Sequence, residues 1–218
     1  MRKNLAEGLG TMLLVATVVG SGVMGERLAG GNVAVALWAN TFATVAVLFV
    51  LVTVLGPVSG AHLNPAVTLI AMARKQLRVV EGVVRIGVQV LGAVAGTVLA
   101  HAMFELAPFQ RSTHARTGPS QWLAEVVATF GLVLIIEGAV KHQPRHVAAC
   151  VAGWIGAAYW FTASTSFANP AVTIARSLTD TFSGIAPADV PGFIVAQLAG
   201  AAAGAAVASK LFAEVQNA

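Results

Sequence analysis

Long apolar runs separated by short polar breaks dominate this chain. Runs close to the roughly 20 residues an α-helix needs to cross a bilayer lie at about 6–25, 33–56, 80–104, 120–140, 147–164 and 190–212. They predict six membrane-spanning helices. Two shorter apolar segments fall between the second and third runs and between the fifth and sixth, and each opens with the same string, Asn-Pro-Ala-Val-Thr, at Asn64 to Thr68 and Asn169 to Thr173. Asn is a strong helix N-cap and Pro is pre-shaped for the first helical position, so each string predicts a helix start. A helix from Pro65 to Arg74 is only about 15 Å long, half the roughly 30 Å hydrocarbon core, so it enters a bilayer without crossing it.

The repeated string is one of three matches that recur in the same order. Leu5-Ala6-Glu7 is matched by Leu123-Ala124-Glu125, and Gln89, Gly92 and Gly96 by Gln197, Gly200 and Gly204 at identical spacing. The chain therefore reads as a first repeat, 1–106, with half-helix 64–74; a linker, 107–119, carrying Pro108, Gly118 and Pro119; and a second repeat, 120–218, with half-helix 169–178. Each repeat holds three spans. Three is odd, so the second repeat enters the membrane from the opposite side and the halves are related by an axis in the membrane plane. The expected fold is an all-α membrane protein in which six transmembrane helices and two re-entrant half-helices form an inverted repeat and a single channel domain, 1–218.

Composition narrows the class further. Hydrophobic residues make up 57% of the chain and charged residues 10%, and the mean hydropathy is +0.79. These values mark an integral membrane protein with little chain left for a soluble domain. Placing the N-terminus inside puts Arg2, Lys3, Arg74, Lys75, Arg78, Arg85, Lys141, Arg145 and Lys210 on the cytoplasmic side and leaves Arg27, Arg111, Arg116 and Arg176 outside. The expectation is a multi-pass protein of the plasma or cell inner membrane with both termini cytoplasmic. Glu7 interrupts the segment after Arg2 and Lys3, so the first run is expected to stay as a span rather than be cleaved. The net charge of +4 follows from this loop bias, and no basic cluster interleaved with aromatics marks a nucleic-acid partner. Cys150, the only cysteine, reads as a small packing residue.

Two half-helices entering from opposite faces bring their N-termini together near the midplane. Irregular backbone at that depth is tolerated only where protein buries it or it lines a water-filled cavity. Each N-terminus carries about half a positive charge, which repels cations and attracts oxygen lone pairs. The amides of Asn64 and Asn169 can each donate into the lumen, with Pro65, Ala66, Pro170 and Ala171 shaping the tips. A water held by both Asn residues directs its protons away along the pore, which interrupts a proton wire. Glu7 and Glu125 read either as acceptors for the loops preceding the half-helices or as solvated helix ends; their repetition favours bracing. His62 reads as a pore-entrance or bracing residue, or as core packing. The paired glycines let the third and sixth spans approach their neighbours closely.

The segments Ser59-Gly60-Ala61-His62-Leu63-Asn64-Pro65-Ala66-Val67-Thr68 and Phe167-Ala168-Asn169-Pro170-Ala171, set among six spans, resemble the aquaporin, or major intrinsic protein, family. The resemblance covers essentially the whole chain. It implies a right-handed bundle, a homotetramer with one pore per subunit, and passive passage of water or small neutral solutes, without a cofactor. In most of that family an arginine directly follows the second Asn-Pro-Ala and narrows the outer mouth; here the position is Val172. Carried over in the same way, the other filter positions fall on Thr44, Ala157 and Ser166. The implied filter is wide and uncharged, with Arg176 one turn further along and expected to point away from the tips. Tyr159, Trp160 and Phe161 leave it open as interface or packing aromatics, whereas one turned inward narrows it. Asn169 to Arg176, with Ser177 to Phe182, resembles a bacterial branch associated with arsenic resistance, which implies glycerol-like polyols and arsenous acid as solutes.

Other classes fit less well. Catalysis within a membrane needs an aspartyl pair, a Ser–His arrangement or His-Glu-x-x-His zinc spacing, and Asp180, Asp189 and the scattered histidines form none of these. An ion-coupled transporter also uses inverted repeats, but it needs a titrating carboxylate at the substrate site, and Glu7 and Glu125 fit bracing better. A water-selective pore remains the nearer alternative.

Overall fold

The computed structural model describes residues 1–213, so the last residues of the expected second repeat, 214–218, lie outside the described residues. Eight α-helices follow in order: α1 (Arg2–Leu28), α2 (Val33–Ser59), α3 (Pro65–Ala73), α4 (Val79–Met103), α5 (Pro119–His142), α6 (Val147–Phe161), α7 (Pro170–Arg176) and α8 (Val190–Leu211). Among the described residues, five segments are long and apolar enough to cross a membrane: α1, α2, α4, α5 and Pro187–Leu211. The fifth expected span, α6, has 15 residues, which is about 22 Å of helix.

Helix α6 stops at Phe161 rather than at Ser164 because the chain must turn there. Thr162 is extended, and Thr165 and Ser166 take left-handed backbone, so residues 162–168 run irregularly back into the protein toward Asn169. The half-helices are also slightly shorter than expected. Arg74 closes α3 and Ser177 closes α7. Their starts follow local chemistry: the Asn64 side chain accepts from the Ala66 N–H, and that of Asn169 from the Ala171 and Val172 N–H groups, with proline in the first turn of each.

Side-chain distribution is that of a membrane protein, with large apolar groups outward and polar ones inward. Trp38, Phe42, Val80, Leu91 and Val195 are exposed on the helix surfaces, whereas Glu7, Gln89, Glu125 and Gln197 are fully buried. The long helices pack as related pairs, α1 with α4 and α5 with α8. Glycine makes both contacts possible. A Cβ at Gly92 or Gly96 collides with the carbonyl oxygen of Gly8 or Met12, and one at Gly200 or Gly204 with that of Val126 or Phe130. Backbones this close exchange dispersion contacts directly, which matters in lipid, where burying apolar surface between helices gains little.

The expected linker is not a free tether. Residues 104–118 fold over the segment after α7, with backbone bonds from Gln110 N to Leu178 O (2.9 Å), Ser112 N to Ser177 O (3.1 Å) and Ala186 N to His114 O (2.7 Å). The Thr113 backbone N–H and hydroxyl both donate to Asp180 Oδ1 and hold that carboxyl below the usual aspartate range.

Because the α1–α4 contact leaves no room at Gly92, Gly92→Val is expected to destabilise the protein by about 2 kcal/mol or more. Gly87→Ala, on the same helix with nothing within 4 Å of the added methyl group, is expected to be tolerated. Thermal unfolding of the two variants in one detergent checks this; equal melting temperatures would show that the close approach is not limiting.

Candidate functional site: a cavity between two half-helix tips

The loops before the half-helices are built alike. Ala61 and Leu63 have φ of 46° and 49°, and Ser166 and Ala168, at the same distances before their asparagine, have φ of 53° and 48°. Left-handed backbone in non-glycine residues costs of order 1–3 kcal/mol each and persists only when the surroundings over-determine it. Here buried carboxylates do so. Glu7 Oε1 accepts from His62 N (3.0 Å), and its Oε2 accepts from Leu63 N (2.8 Å) and Gln89 Nε2 (2.9 Å). Glu125 Oε1 accepts from Phe167 N (2.8 Å) and Ser164 Oγ (2.6 Å), and its Oε2 from Ala168 N (2.9 Å) and Gln197 Nε2 (2.6 Å).

Gln89 and Gln197 recur in the sequence beside the glycines, yet no bracing role for them follows from the spacing alone. In the fold each links a carboxylate to a threonine: Gln89 Nε2 donates to Thr68 Oγ1 (3.0 Å) and Gln197 Nε2 to Thr173 Oγ1 (2.8 Å). Those hydroxyls donate in turn to the carbonyls of Asn64 and Asn169. His62 and Arg85 complete the first loop. Arg85 Nη1 donates to Ser59 O (2.9 Å), lies 3.6 Å from Glu7 Oε1, and lies 3.4 Å from His62 Nδ1, which is also 3.1 Å from Thr68 Oγ1.

The two tips are tied across the midplane. Asn64 Nδ2 donates to Ala168 O and Asn169 Nδ2 to Leu63 O, both at 2.8 Å. An amide carries two N–H donors, so each asparagine keeps one beyond this crossed pair. Both asparagines line a cavity of about 350 Å³, while Pro65, Ala66, Pro170 and Ala171 pack behind them. The cavity runs from Glu137 and Val140, near the end of α5, past an apolar wall that includes Leu48, Leu132 and Ile155, to Thr44, Tyr159 and Arg176 beneath the segment after α7.

At that second end Thr44, Ser166 and Val172 all line the cavity. Ala157 does not: it is exposed on the outer surface of α6. Counting back from Asn169 crosses the irregular residues 162–168, and there the sequence has no helical period to hold register. Tyr159, two residues on and therefore about 200° around the helix, faces inward, with its hydroxyl 3.2 Å from Thr44 Oγ1. Trp160 and Phe161 face outward, against Trp38 and Trp154. The mouth is therefore not lined by small residues alone.

Arg176 also departs from expectation. Rather than pointing away, it is buried, lines the cavity, and lays its guanidinium carbon 3.4 Å from the centre of the Phe167 ring. Residues four apart share a helix face, and a helical side chain leans toward the N-terminus of its helix, so Arg176 can lean back toward the loop before α7, where the Phe167 ring receives it. That directional rule is the one signal the sequence offers for Arg176; the ring that receives it comes from outside the helix.

Comparison with known proteins agrees with this architecture. A family model described as Major intrinsic protein matches residues 1–162. An aquaglyceroporin, AqpS, from Rhizobium meliloti (strain 1021) is 56% identical over 200 residues, covering 92% of this chain and 85% of that protein. A probable aquaporin TIP1-1 from Oryza sativa subsp. japonica is 33% identical over 141 residues, covering 62% of this chain and 56% of the relative. The X-ray structure of the aquaglyceroporin from Plasmodium falciparum superposes with a TM-score of 0.74 at 20% identity, covering 98% of this chain and 96% of that one. Apolar spans, paired half-helices and the family match together carry one conclusion: this chain is a multi-pass membrane protein with the aquaporin fold and belongs to the major intrinsic protein family.

Proposed function

We propose that this protein is a passive transmembrane channel for water and small uncharged hydroxylated solutes, including glycerol-like polyols and arsenous acid. The observation that carries the reading is the cavity that passes both asparagine tips, each with an uncommitted N–H after the crossed bonds are made. A solute hydroxyl entering the mouth exchanges water for the Tyr159 hydroxyl, which lines the cavity beside Thr44. It then slides along an apolar wall that holds it weakly and meets the two amides at the midplane. The positive ends of α3 and α7 favour its oxygen and oppose a cation. Arsenous acid and glycerol are both three-hydroxyl solutes of similar size, and the 56% identical relative is itself described as an aquaglyceroporin.

Neither buried carboxylate suits ion coupling or acid–base catalysis. Glu7 accepts three hydrogen bonds and Glu125 four, all from the loops and glutamines that hold the tips, so neither carboxylate is presented to a solute. Direction of flow then follows the gradient. The physiological setting we propose is a homotetramer in the plasma or cell inner membrane with both termini cytoplasmic, in keeping with the basic loops. Tyr159 supports a second reading, a pore narrow enough to pass water alone. Stopped-flow light scattering on liposomes with purified protein separates the two: rapid glycerol entry establishes the wider channel, and water flux without glycerol entry establishes the narrower one.

Val172→Arg places a second guanidinium in the mouth and is expected to lower glycerol flux about tenfold, a barrier rise of roughly 1.4 kcal/mol, while water flux stays measurable. Undiminished glycerol flux would remove Val172 from the size-selecting ring. Tyr159→Ala is expected to act in the opposite sense and raise the glycerol-to-water ratio in the same assay. Asn64→Asp or Asn169→Asp places a carboxylate against the positive helix ends, and a cation current in planar bilayers is the expected result; silent bilayers would show that the tips are not the cation barrier.

A further inference from the structure

Two arginines flank the Phe167 ring at the mouth, and they are bonded in different ways. Arg116 lies 5.1 Å from the ring centre and is tied on all three nitrogens: Nε to Gly184 O (2.8 Å), Nη1 to Ser164 O (3.3 Å) and Nη2 to Phe182 O (3.5 Å). It staples the linker to the loops. Arg176 is tied through Nε alone, to the Ser183 carbonyl. Its residue is 2% exposed, its Nη1 has no hydrogen-bond partner, and no carboxylate lies within ion-pair distance among the described residues. Glu125, the buried carboxylate of this half, is already saturated by four donors.

A buried guanidinium without a counter-ion is costly to keep unless something solvates it. Arg176 lines the cavity together with Val172, Phe167 and Ser166; its Nη1 is enclosed by protein, so it is the rest of the fork that meets water or a solute oxygen in the lumen. The aromatic face beneath it offers cation–π attraction and fixes the plane of the fork without consuming its N–H donors. Val172, one turn nearer the tip on the same face, is too short to cover it.

We propose that Arg176 is the charge-selecting residue of the mouth: from one helical turn beyond Val172, its guanidinium repels cations and donates hydrogen bonds to the oxygens of passing solutes. The filter then has its fixed positive charge, set back along α7, while the space beside Val172 stays open. A solute with hydroxyl oxygens gains a contact there, and a cation of the same size meets a like charge in a confined, low-dielectric passage. This assignment rests on the channel reading above.

The test uses the full chain in liposomes, comparing wild type with Arg176→Met, which keeps the length and loses the charge, and Arg176→Lys, which keeps the charge and loses the fork. Folding is followed by size exclusion and thermal melting, and Arg176→Gln serves in place of the methionine variant if that one fails to fold. The readout is uptake of methylammonium relative to glycerol at mildly acidic pH. Arg176→Met is expected to raise that ratio about tenfold, and Arg176→Lys to restore most of the exclusion; a residue that only packed the mouth would not be rescued by charge. An unchanged ratio in a folded neutral variant overturns the assignment, as does equal leakage through the methionine and lysine variants. Should wild-type vesicles pass no glycerol, the polyol reading fails separately, and methylammonium uptake relative to water flux decides Arg176 in the same way.

Discussion

Between Ser59 and Pro65, and again between Thr162 and Pro170, the chain runs without helical hydrogen bonds in the interior of a membrane bundle, where lipid offers no replacement donors or acceptors. Everything around the pore answers that requirement. Glu7 and Glu125 take up the N–H groups on one side of each loop. The carbonyls of Leu63 and Ala168 are used by the asparagine of the opposite half. Without the carboxylates the left-handed residues have nothing to hold them, and without the crossed amide bonds the two tips have no reason to meet.

This network explains why close helix packing matters to a pore that the glycines never touch. Glu7 sits on α1 and Gln89 on α4, so the distance between those helices sets the distance between carboxylate and amide, and Gly92 and Gly96 set the distance between the helices. The same relation holds for Glu125, Gln197, Gly200 and Gly204 in the second half. The braces behind the two tips are thus positioned by backbone contacts one or two helical turns away.

The halves share their brace and differ in what they add to it. Two residues before its asparagine the first half has His62, near Arg85; at the corresponding positions the second half has Phe167 and Phe193, whose rings meet at 5.1 Å. Where one half has a polar pair the other has an aromatic pair, and Arg176 lies upon one of its rings, that of Phe167. The two ends of the cavity consequently differ in chemistry while the midplane stays nearly symmetric.

Much of this was legible in the residues. The apolar runs, the duplicated Asn-Pro-Ala-Val-Thr and the recurring Glu7 and Glu125 determine a membrane bundle with two capped half-helices, because helix starts, span lengths and burial costs are local properties of the chain. Side-chain direction at the mouth is not local. Ala157 and Tyr159 exchange places because a seven-residue irregular stretch separates α6 from the motif used to count, and helical phase is lost across it. Arg176 turns into the cavity because a ring on another loop receives it, and residues 104–118 become a lid of backbone hydrogen bonds because the segment after α7 lies beneath them. Sequence determined which groups the membrane forces inward; only the tertiary structure decided which of them line the cavity, since that depends on helix phase and on contacts between distant parts of the chain.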